Sequence, residues 1–65
     1  MKEGYIEYQI WEGTPPVTML LESHPTHEAA ADRYMELSVM NPNTKLRLLK
    51  AEWAVASVTP LASNF

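Results

Sequence analysis

Hydrophobic and polar positions alternate along Tyr5-Ile6-Glu7-Tyr8-Gln9-Ile10-Trp11, and a period of two marks a strand with one buried face. Ile6, Tyr8 and Ile10 share one side, and Tyr5, Glu7, Gln9 and Trp11 share the other. Aromatic and β-branched residues fit such a pleated surface. Glu12-Gly13-Thr14-Pro15-Pro16 breaks the strand, since glycine permits positive φ and proline fixes φ and removes a donor. Val17 to Glu22 resumes the alternation as a second strand, with Val17, Met19 and Leu21 on one face. The two strands are expected to form a hairpin with a loop longer than a tight turn.

The period then changes. Thr26 is placed to cap a helix, its hydroxyl accepting from the amide of Glu28 or Ala29. Glu28 complements the positive end of the helix dipole. The helix is expected over His27 to Met40. At about 100° per residue, Ala30, Tyr34, Leu37 and Ser38 gather on one side with Ala31 at the margin, and Glu28, Asp32, Glu36 and Val39 lie opposite. Asn41-Pro42-Asn43 ends it, because a residue before proline avoids the α region.

Lys45 to Trp53 reads as a third strand in which alternation changes phase after Leu48, the apolar series passing to Leu49, Ala51 and Trp53. A β-bulge in this strand and partial burial of both its faces explain the change equally well. Ala54 to Phe65 loses the pattern, and Pro60 and Asn64 suggest a frayed tail over 56–65, although Val55 to Thr59 would also extend the strand. The expected fold is α+β, a β-β-α-β chain. Its three-stranded, mainly antiparallel sheet has order 2-1-3, reached by a right-handed crossover, with the helix on one face. One domain over 1–65, ordered from about 4 to 55, accommodates it.

Composition narrows the function. The 65 residues include no cysteine, which removes disulfide frameworks and thiolate metal sites. No long apolar run and no basic-plus-apolar start is present, so the expectation is a soluble, cytoplasmic protein without a membrane span or signal peptide. The net charge is −3 and unevenly spread. Through Glu36, Lys2 and Arg33 stand against Glu3, Glu7, Glu12, Glu22, Glu28, Asp32 and Glu36. Beyond it, Lys45, Arg47 and Lys50 stand against Glu52. An acidic excess over most of the chain disfavours nucleic acid as a partner.

Candidate chemistry converges on Ser23 to Glu28, which holds both histidines. His24 and His27 with Glu22 and Glu28 offer the beginnings of a metal cluster, and a metal-dependent activity at the paired histidines is one alternative. His24, however, precedes Pro25 and is expected in a solvated loop outside the helix, whereas His27 packs or hydrogen-bonds at the helix start. No metal site and no cofactor are assigned. Ser23–His24 and Thr26–His27 are adjacent pairs, poorly arranged for proton transfer. A domain of this size also has little room for a pocket of roughly 300 Å³. The chain is therefore expected not to be an enzyme.

The helix is expected to cover the face carrying Ile6, Tyr8, Ile10, Val17, Met19 and Leu21. Tyr5, Trp11, Leu20 and Leu49 then lie on the open face among Glu7, Gln9, Glu22, Lys45 and Arg47, with Glu7 and Arg47 as a candidate cross-strand pair. Aromatic anchors rimmed by charges have the composition of a protein interface. Tyr5, Glu7, Trp11, Leu20 and Arg47 are the candidate partner-binding residues, and Glu28, Asp32 and Glu36 form a secondary acidic surface. The helix opening Thr26-x-Glu28-Ala29-Ala30, between a hairpin and a basic-apolar strand, resembles small bacteriophage proteins that bind and inhibit host enzymes, RNA polymerase inhibitors among them. The likeness spans Tyr5 to Trp53, extends to the N-terminal part of small antitoxin domains, and is architectural, carrying no individual residue over. It implies a non-enzymatic inhibitor that occludes a larger host protein in the host cytoplasm. A homodimer joined through the open face or a sheet edge is the other alternative.

Overall fold

The computed structural model describes residues 5–53 and 56–64. Its elements run β1 (Ile6–Glu12), β2 (Met19–His24), α1 (His27–Met40), β3 (Leu46–Glu52) and β4 (Ser57–Ser63). All neighbouring strands pair antiparallel, in the order β2-β1-β3-β4. The α+β class and the 2-1-3 arrangement are as expected, but the sheet has four strands rather than three.

The fourth strand replaces the expected frayed tail, and Asn64 supplies part of the reason. Its side-chain oxygen accepts from the Leu46 amide at 2.8 Å, and its amide group donates to the Thr44 carbonyl at 2.7 Å. The Asn64 backbone amide also donates to the Leu46 carbonyl. A residue that read as a tail signal thus fastens the end of β4 to the start of β3. Pro60 is accommodated because β4 is an edge strand, where a missing donor need not break a ladder.

Gly13 starts the turn after β1 with φ +108°, and a Cβ there would stand 2.5 Å from the Val17 carbonyl oxygen. Both conditions require glycine. Its amide donates to the Lys45 carbonyl, which ties the turn to the strand beyond β1. The helix has the bounds its sequence predicts. The Thr26 side chain accepts from the Ala29 amide at 3.3 Å, and the helix closes where the Asn41 backbone and side chain both donate to the Leu37 carbonyl.

The core is small. Ile10, Ala30, Leu46 and Leu48 are buried together, with Tyr8, Ala31, Tyr34, Leu37 and Ala62 packed around them. Ile10 and Leu46 are the large side chains that are fully buried, each worth about 1.5–3 kcal/mol relative to exposure. The helix turns Glu28, Asp32, Glu36 and Val39 outward, as its periodicity predicts.

Strand phase decides between the two explanations for β3 and corrects the reading of β2. β3 pairs with β1 in unbroken register from Ile6–Glu52 to Glu12–Leu46, so β3 contains no bulge along β1. Its phase change reflects two partly covered faces, Leu46 and Leu48 on one and Leu49 and Ala51 on the other. The bulges lie instead in the edge strands. Between the Ile10–Glu22 and Trp11–Leu20 pairs, Leu21 is the extra residue of β2. Between Leu48–Ala62 and Leu49–Pro60, Leu61 is the extra residue of β4. The second strand also begins later than expected, which leaves Val17 outside it. Val17, Met19 and Leu21, assigned to the covered face, are all exposed.

Candidate functional site

In an antiparallel pair, directly opposed residues project to the same face. Ile10, Leu48, Ala62 and Glu22 are opposed in this way and define the face covered by α1. Glu22 therefore lies beneath the helix and not on the open face, because the bulge at Leu21 inverts the phase of β2. There its carboxylate accepts from Arg33 Nε at 2.7 Å and contacts His24 Nε2 at 2.9 Å. The Arg33 guanidinium, and next His24, hold the Glu22 pKa below the usual carboxylate range. Arg33 also donates to Glu36 at 2.9 Å, which engages one member of the acidic row Glu28, Asp32 and Glu36. Glu22 and Glu36 in turn raise the Arg33 pKa.

His24 is the last residue of β2 and half-buried, not a loop residue. It extends the strand because it still pairs with Tyr8. His27 packs edge-on against the Tyr8 ring, centroids 5.5 Å apart. Among the described residues, no group of three or more His, Cys, Asp or Glu side chains is placed to hold a metal ion. No helix among them is long and apolar enough to cross a membrane.

The opposite face carries the sequence-derived candidates. Leu20, Trp11, Arg47 and Ser63 are successive cross-strand partners and form one row. Ser23, Gln9, Leu49 and Pro60 form the next, followed by Glu7, Ala51 and Val58. The Trp53 amide donates to the Tyr5 carbonyl at 3.0 Å, adding a final row in which the two rings lie 6.5 Å apart. Tyr5, Glu7, Trp11, Leu20 and Arg47 thus share one surface. Arg47 opposes Trp11 and Glu7 opposes Ala51, so the expected Glu7–Arg47 cross-strand pair is absent. The register sets Arg47 opposite Trp11, four residues along β1 from Glu7, so the two are not direct partners.

Glu7 organises the face. It accepts from the Ser23 hydroxyl and, at 3.1 Å, from the Trp53 indole N–H. These bonds, Ser23 first and Trp53 second, with Gln9 and Tyr5 adding to them, depress the Glu7 pKa. Gln9 in turn accepts from the Trp11 indole at 3.0 Å. Both indole donors are thereby satisfied within the protein, and the ring of Trp53 stays 59% exposed. Between these rings lies a groove of about 360 Å³ lined by Gln9, Trp11, Ala51, Glu52, Trp53, Ala56, Ser57 and Val58. That volume exceeds what the chain length suggested. The β3–β4 corner creates it, and the fourth strand was not foreseen.

Trp53 and Val58 join this face although the sequence pattern does not assign them to it, whereas Gln9 lies there as expected. The run Leu49-x-Ala51-x-Trp53 carried the signal for Trp53, placing it two strand steps from a residue already assigned to the open face. In comparisons with known proteins, no family model matches the chain, and neither a curated protein nor a solved structure matches it.

Proposed function

We propose that the chain is a non-enzymatic protein-interaction module whose uncovered sheet face docks on a larger protein and occludes part of it. The observation that carries this reading is the cross-strand juxtaposition of Tyr5, Trp11, Leu20, Leu49, Val58 and Trp53 on the face away from the helix. Large apolar side chains gathered on one face, with charged residues among them, have the composition of interface hot spots. Fixing both indoles by internal hydrogen bonds supports it further, since side chains ordered before binding lose less entropy on binding. Inhibition of a host enzyme by a phage-encoded protein is one biological setting in which such a module acts.

Docking through the face is favoured over strand addition or dimerisation at an edge. Both edge strands are bulged, and β4 also carries Pro60; such features blunt edges against added strands.

The test is capture from a lysate of the source cell on immobilised protein, with wild type, Trp11→Ala and Tyr5→Ala compared. Specific capture by wild type that either variant loses while keeping its circular dichroism spectrum is the expected result. Equal capture by all three overturns the site assignment. Light scattering over a dilution series separates the homodimer alternative: a dimer lost in Trp11→Ala assigns the face to a second copy.

A further inference from the structure

Charge is divided between the two sides of the sheet, and the division indicates the chemistry of the partner, an inference that rests on the interaction-module reading above. Glu12 opposes Leu46, Glu52 opposes Ile6 and Glu22 opposes Ile10, so these carboxylates project to the helix side. Glu28, Asp32 and Glu36 lie on the helix itself. The cations on that side are Arg33, paired with Glu22 and Glu36, and Lys50, opposite Tyr8. The open face is the reverse. Its one carboxylate among the described residues is Glu7, which is engaged by Ser23 and Trp53. Arg47 stands opposite Trp11, and the bond from the Gly13 amide to the Lys45 carbonyl extends the same register by one pair, which puts Lys45 on the Arg47 side. Because Lys2 and Glu3 balance each other, the net charge of −3 belongs to the helix side. Cations outnumber carboxylates on the face proposed to dock.

The cations lie toward one end of that face and the groove toward the other. On the open face the groove is lined by Gln9, Trp11, Ala51, Trp53 and Val58, and the register turns the Glu52 carboxylate away from it. Both indole N–H groups are donated internally, so the rings offer apolar faces suited to an aromatic or large aliphatic side chain. From Ala51 at the base, Arg47 is four residues back along β3, about 13 Å at the usual strand rise. A segment crossing the face meets indole rings first and cations next. Arg47 addresses a carboxylate in a two-point contact, and Lys45 acts as a point charge beyond it. The same asymmetry orients the encounter, since an acidic surface attracts the open face and repels the helix side. A nucleic-acid strand, with phosphates along its whole length, is matched less well by cations at one end. We propose that the partner presents an acidic segment headed by an aromatic side chain, the ring entering the Trp11–Trp53 groove and the carboxylates pairing with Arg47 and Lys45.

The experiment titrates the isotope-labelled full-length chain with the blocked peptide Phe-Glu-Glu-Glu, following indole and backbone N–H resonances. Phe-Gln-Gln-Gln, Phe-Lys-Lys-Lys, Ala-Glu-Glu-Glu and a thymidine tetranucleotide are the comparisons. The acidic peptide should shift the Trp11 and Trp53 indole signals, and the amides of Ala51, Val58, Arg47 and Lys45, saturably. Lys45→Gln and Arg47→Gln should each weaken it about fivefold, the scale of one partly exposed charge pair, and Lys45→Gln changes an exposed side chain that the core does not use. The Gln peptide should bind more weakly than the Glu peptide, the Lys peptide more weakly still, and Ala-Glu-Glu-Glu should leave the indole signals unmoved. Equal or tighter binding of the Gln or Lys peptide, unchanged affinity in both variants, or no shift of groove signals overturns the proposal. Tighter binding of the tetranucleotide to the same residues overturns it in favour of nucleic acid. These outcomes are independent of whether Trp11→Ala loses captured protein, so failure of the acidic-partner assignment is distinguishable from failure of the docking face.

Discussion

Ile10 and Trp11 are neighbours in β1 and belong to opposite sides of one sheet. Ile10 faces α1 and is fully buried with Leu46, Leu48 and Ala30, whereas Trp11 joins a surface that none of the described elements covers. The covered side is held by exclusion of water from a few aliphatic groups. The open side is held by a hydrogen-bonded series, Trp11 to Gln9 and Trp53 with Ser23 to Glu7. Burial is non-directional and supplies most of the folding free energy. Surface hydrogen bonds add little net stability but fix orientation. The difference assigns stability to one face and presentation to the other.

The sharpest way to break that division is to truncate the two neighbours. Ile10→Ala should cost about 2–5 kcal/mol through lost burial and a residual cavity. A domain this short has roughly 3–10 kcal/mol in total at typical per-residue stabilities, so much of the chain should be unfolded without denaturant. Trp11→Ala should cost about 1 kcal/mol, near the centre of the range for single substitutions. Urea unfolding followed by circular dichroism reads both. Equal losses would mean that the open face is a second core and the division fails.

Much of this arrangement was legible in the residues. Thr26 and Asn41-Pro42 carry their own capping and stop chemistry, so the helix bounds follow locally. β1 reads cleanly because one strand with strict alternation needs no partner to define its faces. The phase of β2 was not legible, since a bulge at Leu21 arises from pairing with β1 and leaves no mark in Met19-Leu20-Leu21-Glu22. That is why Leu20 was correctly placed on the open face and Glu22 was not. β4 was hidden for a similar reason. Ser57–Ser63 is mostly exposed and holds a proline, and its place depends on contacts that Asn64 makes with Thr44 and Leu46, far away in sequence. The candidate surface survived these errors because Tyr5, Glu7 and Trp11 all sit on the strand whose phase was unambiguous.

A second comparison concerns polar groups on the two sides. The Ser38 hydroxyl is buried and has no hydrogen-bond partner among the described residues, whereas the open-face carboxylate of Glu7 is well supplied with donors. An unpartnered buried hydroxyl is destabilising, and alanine is also the better helix former. Ser38→Ala should therefore stabilise the protein by up to about 1 kcal/mol. A higher urea midpoint with an unchanged denaturant slope is the expected observation. Destabilisation would show that the hydroxyl has a partner in solution and that the covered side also depends on polar contacts.

The smallest effect is expected at Glu7, and it is set by pH. Hydrogen bonds from Ser23 and Trp53 lower its pKa in the folded chain, so the folded state binds the proton less readily than the unfolded state. The associated stability is fully present above the ordinary carboxylate pKa of about 4.3 and is lost as pH falls through the depressed folded value. Because the site is solvent-accessible, its worth at neutral pH is a few tenths of a kcal/mol. Glu7→Gln should lose that increment at pH 7 and show a shallower fall in stability toward acid, the two proteins converging once Glu7 is protonated in both states. The Trp53 indole proton should move through the same acid transition in wild type and stay fixed in the variant. Glu22→Gln offers the matching control on the other face, where Arg33 and His24 depress the carboxylate instead: it should also flatten the acid limb but leave the Trp53 signal titrating. If Glu22→Gln stopped that titration, or Glu7→Gln did not, the carboxylate of Glu7 would not be what fixes the indole, and the ordered presentation of the open face would need another cause.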